Sequence, residues 1–339
     1  MKSNNTLLLI KGSDVGKILK DKEKQIIDVV KKAYTAFSEQ KSSLPHSIFL
    51  RFPNNTSNRI IGLPAYDGSE VPTAGIKWVA SFPNNIGQGI ERASASIILN
   101  ATDTGRPYAF LEGSIISAKR TAASAALATQ VLNRGKKYTS MALIGCGLIN
   151  FEIFKFTTNV HENIKNVFIY DLDQSRAEQF VIKIKSIGSY NVTICKSLEE
   201  ATKSSLLIAF ATTASTPHIN DNTIFQSNSL ILHISLRDLG INIITKNINI
   251  VDDVDHVNRE NTSIYLASQK TKNTNFVLTN IGEVLLKKAS PPQSGIIIFS
   301  PFGLGVLDMA LARYVYTTAQ KQDKGSVISD FLPDPWTVR

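Results

Sequence analysis

Gly145 and Gly147 flank Cys146 directly after the apolar run Met141 to Ile144 and ahead of a stretch that can be helical, Phe151 to Asn166. A missing Cβ permits a tight turn and lets a pyrophosphate approach the chain. A helix opening there aims unpaired N–H groups and its positive dipole end at that phosphate. A second apolar run, Val167 to Tyr170, ends in Asp171, at about the distance where an acid meets the adenosine ribose hydroxyls. Asn150 takes the third glycine's place in GxGxxG, so the plain alternative is a β-turn-α corner that uses glycine only for its dihedrals. Asp171 would repel a 2′-phosphate, which makes NAD the expected cofactor rather than NADP.

Four cations and one acid are the other candidates for chemistry. Arg51 ends an apolar segment, Lys77 lies inside Gly75-Ile76-Lys77-Trp78-Val79, Arg92 follows Glu91, and Arg120 stands among alanines. Burying a cation in an apolar strand is costly unless it meets an anion, so Lys77 is expected to bind substrate, with a structural ion pair as the alternative. Arg120 can take a carboxylate in a bidentate fork, or bridge two helices. Asp238 follows the apolar Ser229 to Ser235, where open α/β sheets place their ligands, and a carboxylate there can accept a proton or activate water; the alternative is a cap. Asp252 and Asp253 divide evenly between capping a strand end and serving a site. Cys146 reads as a small packing residue.

The elements that must position these groups differ between the two halves. A helical period over Glu23 to Gln40 places Ile26, Ile27, Val30, Ala33, Tyr34 and Phe37 on one side. Strand-like segments follow at Ser47 to Phe52, Arg59 to Pro64, Thr73 to Phe82, Ala93 to Asn100 and Arg106 to Leu111, separated by turn chemistry and suggesting an antiparallel sheet. Residues 5–11 read as a short strand with a capped turn after it, and an alanine-rich helix spans Ser114 to Leu132. Beyond the glycine turn, short strands apolar throughout alternate with helices, as in a parallel sheet covered on both faces. A last apolar helix runs from about Gly305 to Gln320. The expected fold is α/β: a Rossmann dinucleotide-binding domain at 131–311, and a mixed α+β substrate-binding and dimerisation domain at 1–130 with 312–339.

Composition narrows the function classes. The 37 Lys and Arg against 28 Asp and Glu give +9, but the basic residues are scattered and their clusters short, so no nucleic-acid partner is expected and an anionic small substrate is. Two cysteines make no disulfide framework or CxxC site, and five histidines show no ligand spacing, so no metal is expected. No window reaches the roughly 18 apolar residues of a membrane span, and Thr6 to Ile10 is too short for a signal segment. A soluble cytoplasmic enzyme is the expectation.

These residues carry a resemblance to the ornithine cyclodeaminase/mu-crystallin family across nearly the full length. The matching segments are Gly75-Ile76-Lys77-Trp78, Glu112 to Ser117 running into Arg120-Thr121-Ala122-Ala123, Ile144 to Gly147, and Ser300 to Gly305 followed by Asp308. The resemblance implies a homodimer, carboxylate contacts from Arg51, Lys77 and Arg120, and an acid/base role for Asp238 with Lys77. It further implies NAD contacts from Thr121, Gly145, Cys146, Gly147, Leu148, Ile149, Asp171, Thr212, Ser235 and Gly303. Ornithine-acting members place a glutamate where Ile61 stands, which argues against ornithine. Glu91-Arg92-Ala93-Ser94 and Val251-Asp252-Asp253 with Asn258-Arg259-Glu260 resemble instead a siderophore-pathway branch that oxidises a glutamate conjugate, releasing 2-oxoglutarate and 2,3-diaminopropionate. Arg92 is the added cation such a triacid needs. The alternatives are an ornithine or lysine cyclodeaminase, a simpler amino or imino acid dehydrogenase, and a crystallin-like protein that binds a dinucleotide without turnover.

Overall fold

The computed structural model describes residues 5–338. In chain order the first part comprises β1 (Leu7–Ile10), α1 (Gly12–Leu19), α2 (Glu23–Ser38), β2 (Ile48–Phe52), β3 (Asn55–Asp67), β4 (Thr73–Ser81), β5 (Ala93–Asn100), β6 (Pro107–Glu112) and α3 (Ser114–Val131). The middle part comprises β7 (Ser140–Ile144), α4 (Leu148–Val160), β8 (Asn166–Tyr170), α5 (Gln174–Lys185), β9 (Asn191–Ile194), α6 (Leu198–Lys203), β10 (Leu207–Phe210) and β11 (Leu230–His233). It continues through α7 (Ile241–Lys246), β12 (Ile248–Val251), α8 (Val254–Val257), α9 (Ser263–Thr271), β13 (Val277–Asn280), α10 (Ile281–Leu285) and β14 (Ile297–Ser300). The chain closes with α11 (Gly305–Lys321) and β15 (Ser326–Ile328).

Two compact units result, one of residues 1–120 and 305–339, the other of 121–304.

The first unit carries a seven-stranded sheet in the order β15-β1-β6-β5-β4-β3-β2, antiparallel except where β1 runs parallel to β6. Helices α1 and α2 and the strands β3, β4 and β5 all pack on α11. Gly75 allows that close approach, because a Cβ there would lie 2.8 Å from the Met309 sulfur and 2.2 Å from the Ile98 carbonyl oxygen. Register partners share a face of the sheet. Leu63, Lys77 and Ile97 therefore stand in one row, and Arg51, Arg59 and Ser81 in another row of that same face. Ile48, Gly62 and Trp78 lie on the opposite face. The region expected to turn after the first strand is instead the helix α1, whose Val15, Ile18 and Leu19 make a buried stripe too short to signal a period.

The second unit is an eight-stranded parallel sheet in the order β13-β12-β14-β11-β10-β7-β8-β9. β10, β11 and β14 are buried at every position, and apart from His233 and Ser300 at the ends of β11 and β14 they are apolar throughout. Strand order reverses beside β7, whose neighbours are β8 and β10. Crossovers leave this strand in opposite directions, so the ends of β7 and β10 frame the crevice where such sheets bind ligands.

Candidate active site

In the second unit, Gly145 adopts φ +93° and a Cβ on it would lie 2.7 Å from the Ala211 carbonyl oxygen, so both dihedral and space demand glycine. Gly147 caps α4 without a side chain, and a Cβ there would meet no atom within 4 Å. The first N–H groups of α4 thus open onto free space. Asn150 is fully buried, and its Nδ2 donates to the carbonyl oxygens of Ile144 (2.8 Å) and Gly145 (2.7 Å). The residue that spoils the three-glycine pattern stitches the turn to its own strand. Asp171 accepts the Cys146 N–H at 2.6 Å and the Asp173 N–H at 2.9 Å, tying the end of β8 to the glycine turn. Burial, and after it the Asp171 charge, push the Cys146 thiol up to about 12, which keeps it a packing group. Leu148 is exposed and Ile149 half-buried at the mouth of the helix. An open helix start under a glycine turn, with a carboxylate across from it, fits the pyrophosphate and ribose of a dinucleotide.

Asp238 is fully buried in this unit. It accepts hydrogen bonds from the hydroxyls of Thr212 and Ser235, two residues expected at the cofactor, and His233 Nε2 lies 3.4 Å from its carboxylate. Burial pushes the carboxyl up, but His233, Ser235 and Thr212 outweigh it and leave Asp238 below the usual carboxylate range. The His233 share needs a proton on Nε2, whereas the Asp238 N–H, 3.2 Å from that same nitrogen, needs a lone pair there. The two hydroxyls have no such conflict, so they are the firm part of the anchor. His233 Nδ1 lies 3.2 Å from the Ser300 hydroxyl. Asp252 takes the N–H groups of Phe302 (2.9 Å) and Gly303 (2.7 Å), fixing the loop after β14, and burial pushes it up to about 6. Asp253 caps α8 through the His256 N–H.

In the first unit, Lys77 on β4 is 1% exposed. Its Nζ lies 2.6 Å from Asp308 Oδ2 and 3.1 Å from the Ser117 hydroxyl. Arg120 Nε donates to Asp308 Oδ1 at 3.0 Å. One fully buried carboxylate thus serves two buried cations, leaving a unit of positive charge to be met by another anion. Burial, then the Arg120 charge, push Lys77 down to about 8 against the upward pull of Asp308. Lys77 and Arg120 meet on Asp308, the ion-pair arrangement weighed as the alternative for each, and sequence reasoning left Asp308 itself without a role. Arg51 and Arg92 stand outside this ion-pair cluster: Arg51 is exposed over the Phe49 ring at 5.4 Å, and Arg92 is half-buried. Thr121 follows Arg120 on α3.

A parallel sheet with a glycine turn at its switch point defines an α/β dinucleotide-binding protein. The chain belongs to the ornithine cyclodeaminase/mu-crystallin family, which it matches over residues 9–323. It is 28% identical to the N-((2S)-2-amino-2-carboxyethyl)-L-glutamate dehydrogenase of Staphylococcus aureus over 96% of this chain and 99% of that protein. It is 27% identical to the alanine dehydrogenase of Archaeoglobus fulgidus over 91% and 94% of the two chains. Its fold matches the Thermococcus litoralis Delta(1)-pyrroline-2-carboxylate reductase, solved with NADH and L-proline, at a TM-score of 0.87 and 25% identity, covering 94% of this chain and 99% of that one. No helix among the described residues is long and apolar enough to cross a membrane.

Proposed function

We propose that this chain is an NAD-dependent oxidoreductase acting on a CH–NH bond. Its substrate in this reading is N-((2S)-2-amino-2-carboxyethyl)-L-glutamate, and its products are 2-oxoglutarate and L-2,3-diaminopropionate. The observation that carries the reading is the pairing of Lys77 and Arg120 on a single carboxylate, Asp308. A substrate carboxylate completes that charge count, and the bidentate fork of Arg120 orients it. Arg51 and Arg92 meet further carboxylates of the triacid. The resemblance of residues 91–94 and 251–260 and the similarity to the Staphylococcus aureus dehydrogenase favour this conjugate.

Gly145, Cys146, Gly147, Leu148, Ile149, Asp171 and Gly303 hold NAD, with Thr121, Thr212 and Ser235 beside it. Bound NAD supplies the hydride acceptor, which turns the substrate's Cα–N bond into an imine open to water. Asp238, held ionised by Thr212 and Ser235, takes the proton released by the amine or by the attacking water. Lys77 and Arg120 fix the carboxylate so that the reacting carbon keeps one position. Simple amino or imino acids are the second reading, favoured by the likeness to alanine dehydrogenase.

The working form in this reading is a cytoplasmic homodimer. The sheet face opposite Lys77 exposes Ile48, Leu50 and Trp78, an apolar patch that a second copy of the chain can cover. Light scattering that finds a monomer throughout the working concentration range would reject it. For the activity, the purified chain is mixed with NAD and each substrate while absorbance of the reduced cofactor is followed. Accumulation with the glutamate conjugate, together with stoichiometric 2-oxoglutarate, is expected. Reduction with alanine or proline but not the conjugate would select the second reading. Ammonia release without net reduction would indicate a cyclodeaminase.

A further inference from the structure

Helices α2 and α11 and the turn from β3 to β4 enclose a cleft of about 560 Å³, a size that suits a small molecule. Gln25, Asp28, Val29 and Lys32 line it from α2, and Ala310, Arg313, Tyr314 and Thr317 line it from α11. Both sets follow the i, i+3, i+4, i+7 spacing, so each is one face of its helix. The cleft is separate from the Lys77 cluster. Asp67, at its turn end, is four residues along β3 from Leu63, the partner of Lys77, which is about 13 Å of strand.

Arg313 is the cation that the fold leaves unanswered. A guanidinium carries a fork of N–H donors and is always charged. Here Nη1 donates to the Tyr108 hydroxyl at 3.1 Å, and the guanidinium carbon lies 5.9 Å from the Tyr108 ring centre and 5.5 Å from that of Tyr316. The buried Nε has no hydrogen-bond partner, and among the described residues no carboxylate pairs with this side chain. The α2 and turn side has the converse imbalance: Lys32 Nζ lies 3.0 Å from Asp28 and 3.1 Å from Glu70, so one lysine serves two acids. Asp67 is taken up by its own turn, accepting the Ser69 N–H at 3.3 Å and the Ser69 hydroxyl at 2.6 Å. With Lys24 the lining holds three cations and three acids, so a ligand with separated charges matches it better than one with a net charge. Val29, Val71, Ala310 and the Tyr314 ring leave the remaining wall largely apolar.

We propose that this cleft binds a zwitterionic amino acid with an apolar or aromatic side chain, its carboxylate in the fork of Arg313 and its ammonium on the Asp28 and Glu70 side. The site goes beyond the proposed dehydrogenase reading and holds whether or not the chain oxidises a glutamate conjugate. A triacid fits poorly here, because its further carboxylates would face Asp28 and Glu70.

Calorimetry on the full-length chain without NAD tests it. The probes are L-leucine and L-phenylalanine, each beside its amide, which lacks the carboxylate, and its N-acetyl derivative, which lacks the ammonium. At least one of the two amino acids should bind, with both of its derivatives weaker by about 10-fold or more. Arg313→Gln should weaken that binding about 10- to 100-fold, the range for losing a charged hydrogen bond, and Arg313→Lys should recover part of the loss. Binding at the Lys77 cluster would survive Arg313→Gln, so an unchanged affinity in that variant overturns the proposal. So does an amide that binds as tightly as its amino acid, or no binding of either amino acid up to about 10 mM. If Arg313→Gln does not fold, Val71→Trp, at an exposed position of the turn, fills the cleft instead. Binding should then be lost, and wild-type affinity in Val71→Trp overturns the site. Oxidation of the glutamate conjugate is read separately from reduced cofactor, so its failure leaves each of these outcomes as it stands.

Discussion

Two polar clusters, one in each unit, are equally cut off from solvent and reach opposite electrostatic outcomes. Burial favours the neutral form of every ionisable group. At Lys77 burial prevails: a second cation shares its counter-ion, and the amine falls to about 8. At Asp238 the partners prevail, because hydroxyl donors and His233 are aimed at it, and the acid stays ionised. The lesson is that depth alone does not set charge state here. What sets it is whether the neighbours compete for the group's partner or supply one.

The sharpest way to break the comparison is to remove the charge that its neighbours protect. Asp238→Asn keeps the shape and the two hydroxyl partners but cannot accept a proton. We expect turnover to fall by about 10²- to 10⁴-fold with the melting temperature close to wild type. A fall below tenfold, read from steady-state rates, would mean that Asp238 is only a structural anchor. Next in size is Asp308→Asn, which strands two buried cations. Breaking a buried pair costs about 3–5 kcal/mol, visible as a lower midpoint in urea unfolding. An unchanged midpoint would show that water or an anion already serves those cations.

A pH series sharpens the difference further. Lys77 has a folded pKa below its unfolded value of 10.5, so between about 8 and 10.5 the unfolded chain binds the extra proton. Stability should therefore rise with pH across that window, by at most about 3 kcal/mol from this group, as the cost of the buried charge is relieved. Lys77→Met should remove that rise, which makes the difference between the two unfolding curves the quantity to measure. The KM for an anionic substrate should climb over the same interval as Lys77 loses its charge. The smallest expected effect is at Asn150→Ala, where losing two side-chain hydrogen bonds should cost about 1–2 kcal/mol of stability with glycine dihedrals untouched. A larger loss in NAD affinity than in stability would show that Asn150 shapes the turn for its ligand.

Much of this was legible in the chain because the signals were local. The Rossmann-type unit announces itself through apolar strands and a glycine turn within a few tens of residues, and Lys77 is conspicuous as a charge inside an apolar strand. Asp308 is not legible in the same way. An acid in the first turn of a helix is ordinary, since it complements the dipole there, and only tertiary packing shows that it faces Lys77 and Arg120 from far along the sequence. Asn150 reads as a flaw in the glycine pattern because a side chain that bonds back to its own turn leaves no pattern in the letters. The helices of residues 241–285 were missed because each is too short to establish a period.

The double duty of Asp171 bears on how nucleotide preference could drift in this lineage. The carboxylate suited to a ribose also staples the Cys146 amide of the glycine turn to the end of β8. A mutation that deletes it to welcome a 2′-phosphate would loosen the loop in the same stroke. Replacements such as asparagine, which keep an acceptor for the amide while shedding the negative charge, are the open route from one coenzyme to the other.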